Sequence, residues 1–282
     1  MTGADMTEHL GVDMPGPFAG TRVLAITSGK GGVGKTNVVA GLAISLAKIG
    51  QRAVVLDADF GLANLDILLG LSPQYTLEHV LKGDKVLEEI IVEGPCGIRV
   101  IPASSGINEL TRLNPAQELR LVQGLQRIAM DTDWLLIDTA AGIHDSVVKL
   151  LLAAQEIILV GTPEPTSLID AYAMVKVVTS RDQAKPLWLL VNNAQGEDEA
   201  METIEQVQAA SKEFLGKDVW GMGAIPSDVH VMQAVREQRG VADLYPDCPS
   251  SKAFRALSKV LVDKIPLRKD GIKAFWEKLT HP

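Results

Sequence analysis

Cysteine is scarce in this chain. Cys96 and Cys248 are the only two in 282 residues, and they form no CxxC. Neither a disulfide framework nor a paired-cysteine zinc or iron–sulfur site is indicated, and the chain fits a reducing cytoplasm. Positive charge is also in short supply. Lys and Arg number 27 against 35 Asp and Glu, a formal net charge of −8. Such a surface disfavours broad contact with DNA or anionic lipid, so any such contact must be local. No apolar run approaches the ~18 residues that span a bilayer. The first twenty residues are acidic and rich in Gly and Pro, without the basic and apolar regions of a signal peptide. They are expected to form a flexible lead-in, residues 1–20.

What is present is a series of apolar runs of strand length, at 22–27, 53–57, 98–101, 134–138, 157–161, 187–192 and 219–225. They do not alternate apolar with polar, the pattern of strands buried on both faces of a parallel sheet. Helical segments separate most of them. The first carries Val39, Leu42, Ala43 and Leu46 at helical spacing and then Gly50 at the position just past its end. Further helices are expected at 114–130, 145–154, 166–180, 197–215, 228–237 and 250–264. Strand and helix in alternation imply right-handed crossovers and an α/β fold: one doubly wound, mostly parallel sheet flanked by helices. With no linker and no repeat, a single domain over 21–266 is expected, followed by a short tail over 267–282.

The strongest motif is Gly29-Lys30-Gly31-Gly32-Val33-Gly34-Lys35-Thr36, set directly after a strand and before a helix, with Asn37 next to it as a further candidate nucleotide contact. This is GxxxxGK[ST] in the context that gives it meaning. Its glycines let backbone N–H groups turn toward phosphate oxygens, and the following helix contributes its positive end. Lys35 is expected to reach the β/γ-phosphates and the Thr36 hydroxyl to ligate Mg²⁺. A Gly-rich turn with a chance lysine is the plain alternative, and the strand–loop–helix setting argues against it.

Two further strands end in carboxylates. Asp57 and Asp59 stand one residue apart after 53–56, and Leu135-Leu136-Ile137-Asp138 has the pattern of a second metal-side strand. Carboxylates there suit Mg²⁺ and a water nucleophile. Asn192 closes another apolar strand, where ligands of open α/β sheets gather, and its amide can pair with adenine. An Asx-turn is the competing reading of that Asn.

Lys30 is a second lysine that an ordinary phosphate loop does not require. With it, the run Lys30–Thr36 resembles the deviant Walker A motif of the MinD/ParA/nitrogenase-iron-protein group. That resemblance implies a P-loop ATPase in which Lys30 reaches a partner's phosphates across an ATP-sandwich homodimer, as an arginine finger does. It also implies that Asp57 holds Mg²⁺-bound water, Asp138 holds Mg²⁺, and Asp59 orients the attacking water. Adenine would meet Asn192 and the Ile225-Pro226-Ser227-Asp228 segment, and Glu164 would touch the partner's nucleotide.

Several stretches resemble the FlhG/FleN group of flagellar-number regulators. They include the run from Phe60 to Gly70, Asp138-Thr139-Ala140-Ala141-Gly142-Ile143, the run from Glu164 to Ala173, and the ending from Gly271 to Pro282. That resemblance implies a cytoplasmic antiactivator that restrains a FleQ-type σ54-dependent transcriptional activator. An FlhF-type GTPase is a further implied partner, although no DQAxxLR-type stimulating motif precedes Arg22. The tail places Ile272, Phe275, Trp276 and Leu279 on one helical face with Lys273 and Lys278 beside it. Such a helix either lies on a membrane surface in the ATP state or docks on the protein's own core; both need the same stripe. The competing functions are MinD-like placement of the division site and ParA-like DNA partitioning. The second needs a basic surface, and Arg236 with Arg239 is the only noticeable pair.

Overall fold

A computed structural model of the chain describes residues 20–59, 64–102, 114–264 and 271–280. The expected lead-in thus lies almost wholly outside the described residues, as do residues 60–63 of the run compared with FlhG/FleN proteins. Eight strands form one sheet: β1 (Arg22–Thr27), β2 (Ala53–Ala58), β3 (Val92–Glu93), β4 (Arg99–Ile101), β5 (Trp134–Thr139), β6 (Glu156–Gly161), β7 (Leu187–Ala194) and β8 (Trp220–Pro226). Their order is β3-β4-β2-β5-β1-β6-β7-β8, parallel throughout except for the β3–β4 pair. The main helices are α1 (Lys35–Lys48), α5 (Pro115–Ala129), α6 (Asp145–Ala153), α7 (Pro165–Arg181), α8 (Glu197–Leu215), α9 (Val229–Arg236), α11 (Pro249–Lys264) and α12 (Gly271–Thr280). Short helical turns fill the rest: α2 (Leu65–Leu68), α3 (Leu77–Lys82), α4 (Leu87–Ile90) and α10 (Val241–Leu244).

The absence of alternation in the strands has the expected cause. Val23 and Ala25 face one apolar layer while Leu24 and Ile26 face the other, and all four are buried. One layer is closed by α3 to α7 and α12, the other by α1, α10 and α11. Helix ends follow local chemistry. Gly50, at φ 85, terminates α1, with its N–H donating to the Ala47 carbonyl. Asn114 caps α5 through Oδ1 while Gln117 returns a bond to the Asn114 N–H, and Pro115 opens the helix.

β1 is the pivot of the sheet. It lies between β5 and β6, and the chain leaves it toward β2 on one side and later toward β6 on the other. Ligands of doubly wound sheets bind in the crevice beyond the carboxyl end of such a switch-point strand. The glycine-rich loop occupies that crevice.

The tail takes one of the two places that its apolar stripe left open. Ile272, Phe275, Trp276 and Leu279 are all at most 4% exposed and belong to the same apolar layer as β1, α5 and α6. They are core residues rather than an open lipid-facing stripe, and α12 is part of the folded unit rather than an appendage. Trp276→Ala is therefore expected to cost about 3–5 kcal/mol of stability, as for other large buried aromatics. Thermal unfolding of the variant checks this; an unchanged midpoint would mean that α12 spends its time undocked. No helix among the described residues is long and apolar enough to cross a membrane.

Candidate functional site

The loop between β1 and α1 is held close by two contacts that only glycine permits. A Cβ on Gly29 would run into the backbone carbonyl of Asp170 in α7. A Cβ on Gly34, which sits at φ 83, would strike the amide of Asn192. That amide donates from Nδ2 to the Val33 carbonyl at 2.8 Å. Asn192 is thus brought to the phosphate loop from β7, at the opposite end of the loop from Lys30.

Lys35 opens α1 and points beneath the loop, where Nζ lies 2.5 Å from Oδ1 of Asp138 at the end of β5. Thr36 stands beside Asp138 and favours its ionised form. Parallel pairing of β2 with β5 sets Asp57 directly beside Asp138. Asp57 in turn accepts the N–H of Asp59 at 3.1 Å and that of Leu65 at 3.4 Å, which anchors the start of α2 to the site. The residues predicted to act on metal and phosphate therefore converge: Lys35, Thr36, Asp57, Asp59 and Asp138 surround the floor of one cleft.

Electrostatics there reflect burial and the crowding of acids. Burial, followed by the neighbouring Asp138, pushes the Asp57 carboxyl up to about 7 from 3.8, against the two backbone N–H groups that favour its ionised form. Burial also pushes the Asp138 carboxyl up, against the pull of Lys35 and Thr36. An all-oxygen set comprising the Thr36 hydroxyl and the Asp57 and Asp138 carboxylates fits Mg²⁺, and the repulsion between the two acids is what a divalent cation relieves. A pH dependence follows for the ligand-free protein. The folded-state pKa of Asp57 is raised, so native protein holds a proton that unfolded chain has lost between about pH 4 and 7. Stability falls as pH rises through that window, and the penalty is complete above it. Asp57→Asn is expected to raise the denaturation midpoint at pH 8 and to have little effect at pH 4; equal effects at both would rule out a titrating Asp57.

At the mouth of the cleft, Nζ of Lys30 lies 2.5 Å from Oε2 of Glu164 and donates to the Thr166 hydroxyl at 3.0 Å. Both charged partners are solvent-accessible, unlike the Lys35–Asp138 pair. Glu164 precedes α7, so β1 and β6 present the two residues to each other within one chain. Pro226 ends β8 opposite Ala194, and Ser227 donates to the Ala194 carbonyl, which sets this segment next to the Asn192 strand end. The Asp228 side chain is turned inward as the cap of α9, so this position offers a base its backbone and not its carboxylate.

The cleft is larger than the motif alone suggests, a cavity of about 1310 Å³. Beyond the loop, Asn37 and Asp59, it is walled by Ile67, His144, Val235, Arg236 and Gln238. These are residues that motif reading did not place there. Gln238 adopts φ 51, a left-handed conformation that turns the chain after α9 back over the cleft. Only the departure of Gln238 from helical geometry carries the signal, and a single sequence does not display it.

Comparisons with known proteins agree with this geometry. Residues 24–241 match the CobQ/CobB/MinD/ParA nucleotide binding domain. The chain is 41% identical to the antiactivator FleN of Pseudomonas aeruginosa over 93% of this chain and 94% of that protein. It is 34% identical to the flagellum site-determining protein YlxH of Helicobacter pylori, over 92% and 90% respectively. Among solved structures, MinD from Pyrococcus horikoshii in complex with Mg-ADP superposes with a TM-score of 0.68 at 28% identity, covering 86% of this chain and 96% of that one. A chain of the MinC:MinD cell division complex of Aquifex aeolicus gives 0.71 at 26% identity, covering 88% and 98%. The phosphate loop with its extra lysine, the ordered carboxylates and the near full-length likeness place this chain in the CobQ/CobB/MinD/ParA nucleotide-binding family, as a P-loop ATPase of the MinD/ParA type.

Proposed function

We propose that this ATPase is a dimerising switch that regulates flagellar number by restraining a FleQ-type σ54-dependent activator. The observation that carries the reading is the 41% identity with an antiactivator along nearly the whole of both chains. The site supplies the parts such a switch needs. Lys35, freed from Asp138, neutralises β/γ-phosphate oxygens, and Thr36, Asp57 and Asp138 would hold Mg²⁺ directly or through water. The cation, when bound, offsets the charge that develops on the phosphate oxygens. Asp59 orients a water for in-line attack on the γ-phosphorus. The bond from that phosphorus to the β–γ bridging oxygen breaks, and ADP and phosphate leave. Lys30 stabilises the partner's transferring phosphate across a homodimer, and Asn192 with the backbone around Pro226 holds adenine.

ATP-bound dimer and ADP-bound monomer then present different surfaces to the activator, with an FlhF-type GTPase as a further partner. The cell supplies the test. Deletion of the gene is expected to give extra flagella and raised transcription of activator-dependent flagellar genes. Normal flagellation with minicells would instead establish a MinD-like role, and loss of plasmids or chromosomes a ParA-like one.

A further inference from the structure

We propose that Asp228, His230 and Cys248 form a binding site for one zinc-class divalent cation, separate from the phosphate cleft. A carboxylate oxygen, an imidazole nitrogen and a thiol sulfur, all within 4.8 Å of one another, meet where the starts of α9 and α11 converge. These are the ligand types that zinc takes. Asp228 Oδ1 lies 2.7 Å from His230 Nδ1 and accepts the His230 N–H at 3.0 Å. Its other oxygen accepts the N–H and hydroxyl of Ser250 at 3.0 and 2.9 Å. Cys248 is buried at the residue before α11, with Sγ 3.3 Å from the Ser250 hydroxyl and 3.2 Å from that of Ser251. The His230 ring is steadied against Tyr245, centroid to centroid 4.8 Å.

A cation would suit the charge of this corner. The Asp228 carboxylate is only 3% exposed, and among the described residues its one ion-pair partner is His230. A buried carboxylate is costly without a compensating cation. The His230 ring meets the carboxylate through Nδ1 and the Cys248 thiol donates to the Ser251 hydroxyl, two contacts that a metal ion would replace. Zinc–ligand bonds of about 2.0–2.3 Å set ligand atoms roughly 3.3–3.8 Å apart, so the Asp228–His230 pair, now 2.7 Å apart, need open only slightly and the widest pair, within 4.8 Å, close by only about an ångström. On binding, the thiol proton leaves to solvent, and the ring carries its proton on Nε2 so that Nδ1 is free to ligate. Carboxylate and thiolate then balance the two positive charges, and water completes the shell. Because Asp228 follows the Pro226 segment directly, the cation would tie the chain beside Asn192 to α11.

Cobalt(II) is the probe. Titrated into metal-free full-length protein, it is expected to bind one ion with a near-ultraviolet thiolate-to-cobalt charge-transfer band and the visible bands of a tetrahedral site, all displaced by zinc but not by magnesium. Cys96→Ser should keep the band and Cys248→Ser should lose it. His230→Gln should weaken cobalt binding by at least ten- to a hundredfold, the loss typical of disturbing even supporting residues at metal sites. Circular dichroism of each variant separates loss of ligand from loss of fold, and His230→Gln, on a partly exposed side chain, decides the matter if Cys248→Ser unfolds. Absence of the thiolate band in the wild type, a band that follows Cys96, or displacement by magnesium would overturn the assignment.

Discussion

Lys30→Ala is expected to bind ATP within a few-fold of the wild type, to remain monomeric with ATP and Mg²⁺, and to lose hydrolysis by about 10³–10⁵-fold. The range is that of a cationic finger supplied to a transferring phosphate. The structure explains why binding should survive. Lys30 stands at the mouth of the cleft, engaged by Glu164 and Thr166, while Lys35 is the lysine beneath the loop. An exposed pair such as Lys30–Glu164 contributes about 0–1 kcal/mol, so little opposes its exchange for phosphate oxygens. Light scattering of the ATP-loaded protein, with ADP as the control, measures dimer, and phosphate release measures hydrolysis. A Lys30→Ala protein that dimerises as the wild type does would sink the assignment of this lysine to the partner's site.

Asp59→Ala should behave in the opposite way with respect to assembly. Hydrolysis falls by about 10²–10⁴-fold, the usual contribution of a positioned base or water-orienting group, while nucleotide affinity holds. Asp59 lines the cavity one residue past the end of β2, and its N–H is bonded to Asp57, so truncating its side chain leaves the metal-side carboxylates in place. ATP dimer should therefore accumulate rather than vanish. Hydrolysis within a few-fold of the wild type would remove Asp59 from the water-orienting role. The two variants together distinguish failure to assemble from failure to turn over. In the cell, by the proposed function, Asp59→Ala should restrain the activator persistently and Lys30→Ala should not restrain it.

Much of the phosphate site was legible because it is local. Glycines, Lys35 and Thr36 occupy eight consecutive positions, and a strand before and a helix after place them without help from the rest of the chain. The strands were legible because both of their faces are buried, which removes alternation from 23–26 as it does from 135–138. The short turns α2, α3, α4 and α10 were not, since four to six residues span little more than one helical turn and leave no period to read. Strand β3, two residues at the sheet edge, leaves no pattern either.

The tail marks the same boundary from the other side. Ile272, Phe275, Trp276 and Leu279 announced an amphipathic helix, but a membrane and a protein core demand the same stripe. The choice was made by α5, α6 and β1, whose apolar sides come together from distant parts of the chain and receive the helix. Adjacency works likewise in the site. That Asp57 and Asp138 are neighbours depends on the β2–β5 register, and that Asn192 reaches the loop depends on β7 lying two strands from β1. Sequence alone determined where the candidate phosphate loop lies, because that chemistry is carried by contiguous backbone and by residue types that admit few other uses. Tertiary structure alone decided which carboxylates repel, which glutamate holds Lys30, and that Asp228, His230 and Cys248 share one corner. Each of these depends on a distance between residues the sequence holds apart, and only packing and strand register set such distances.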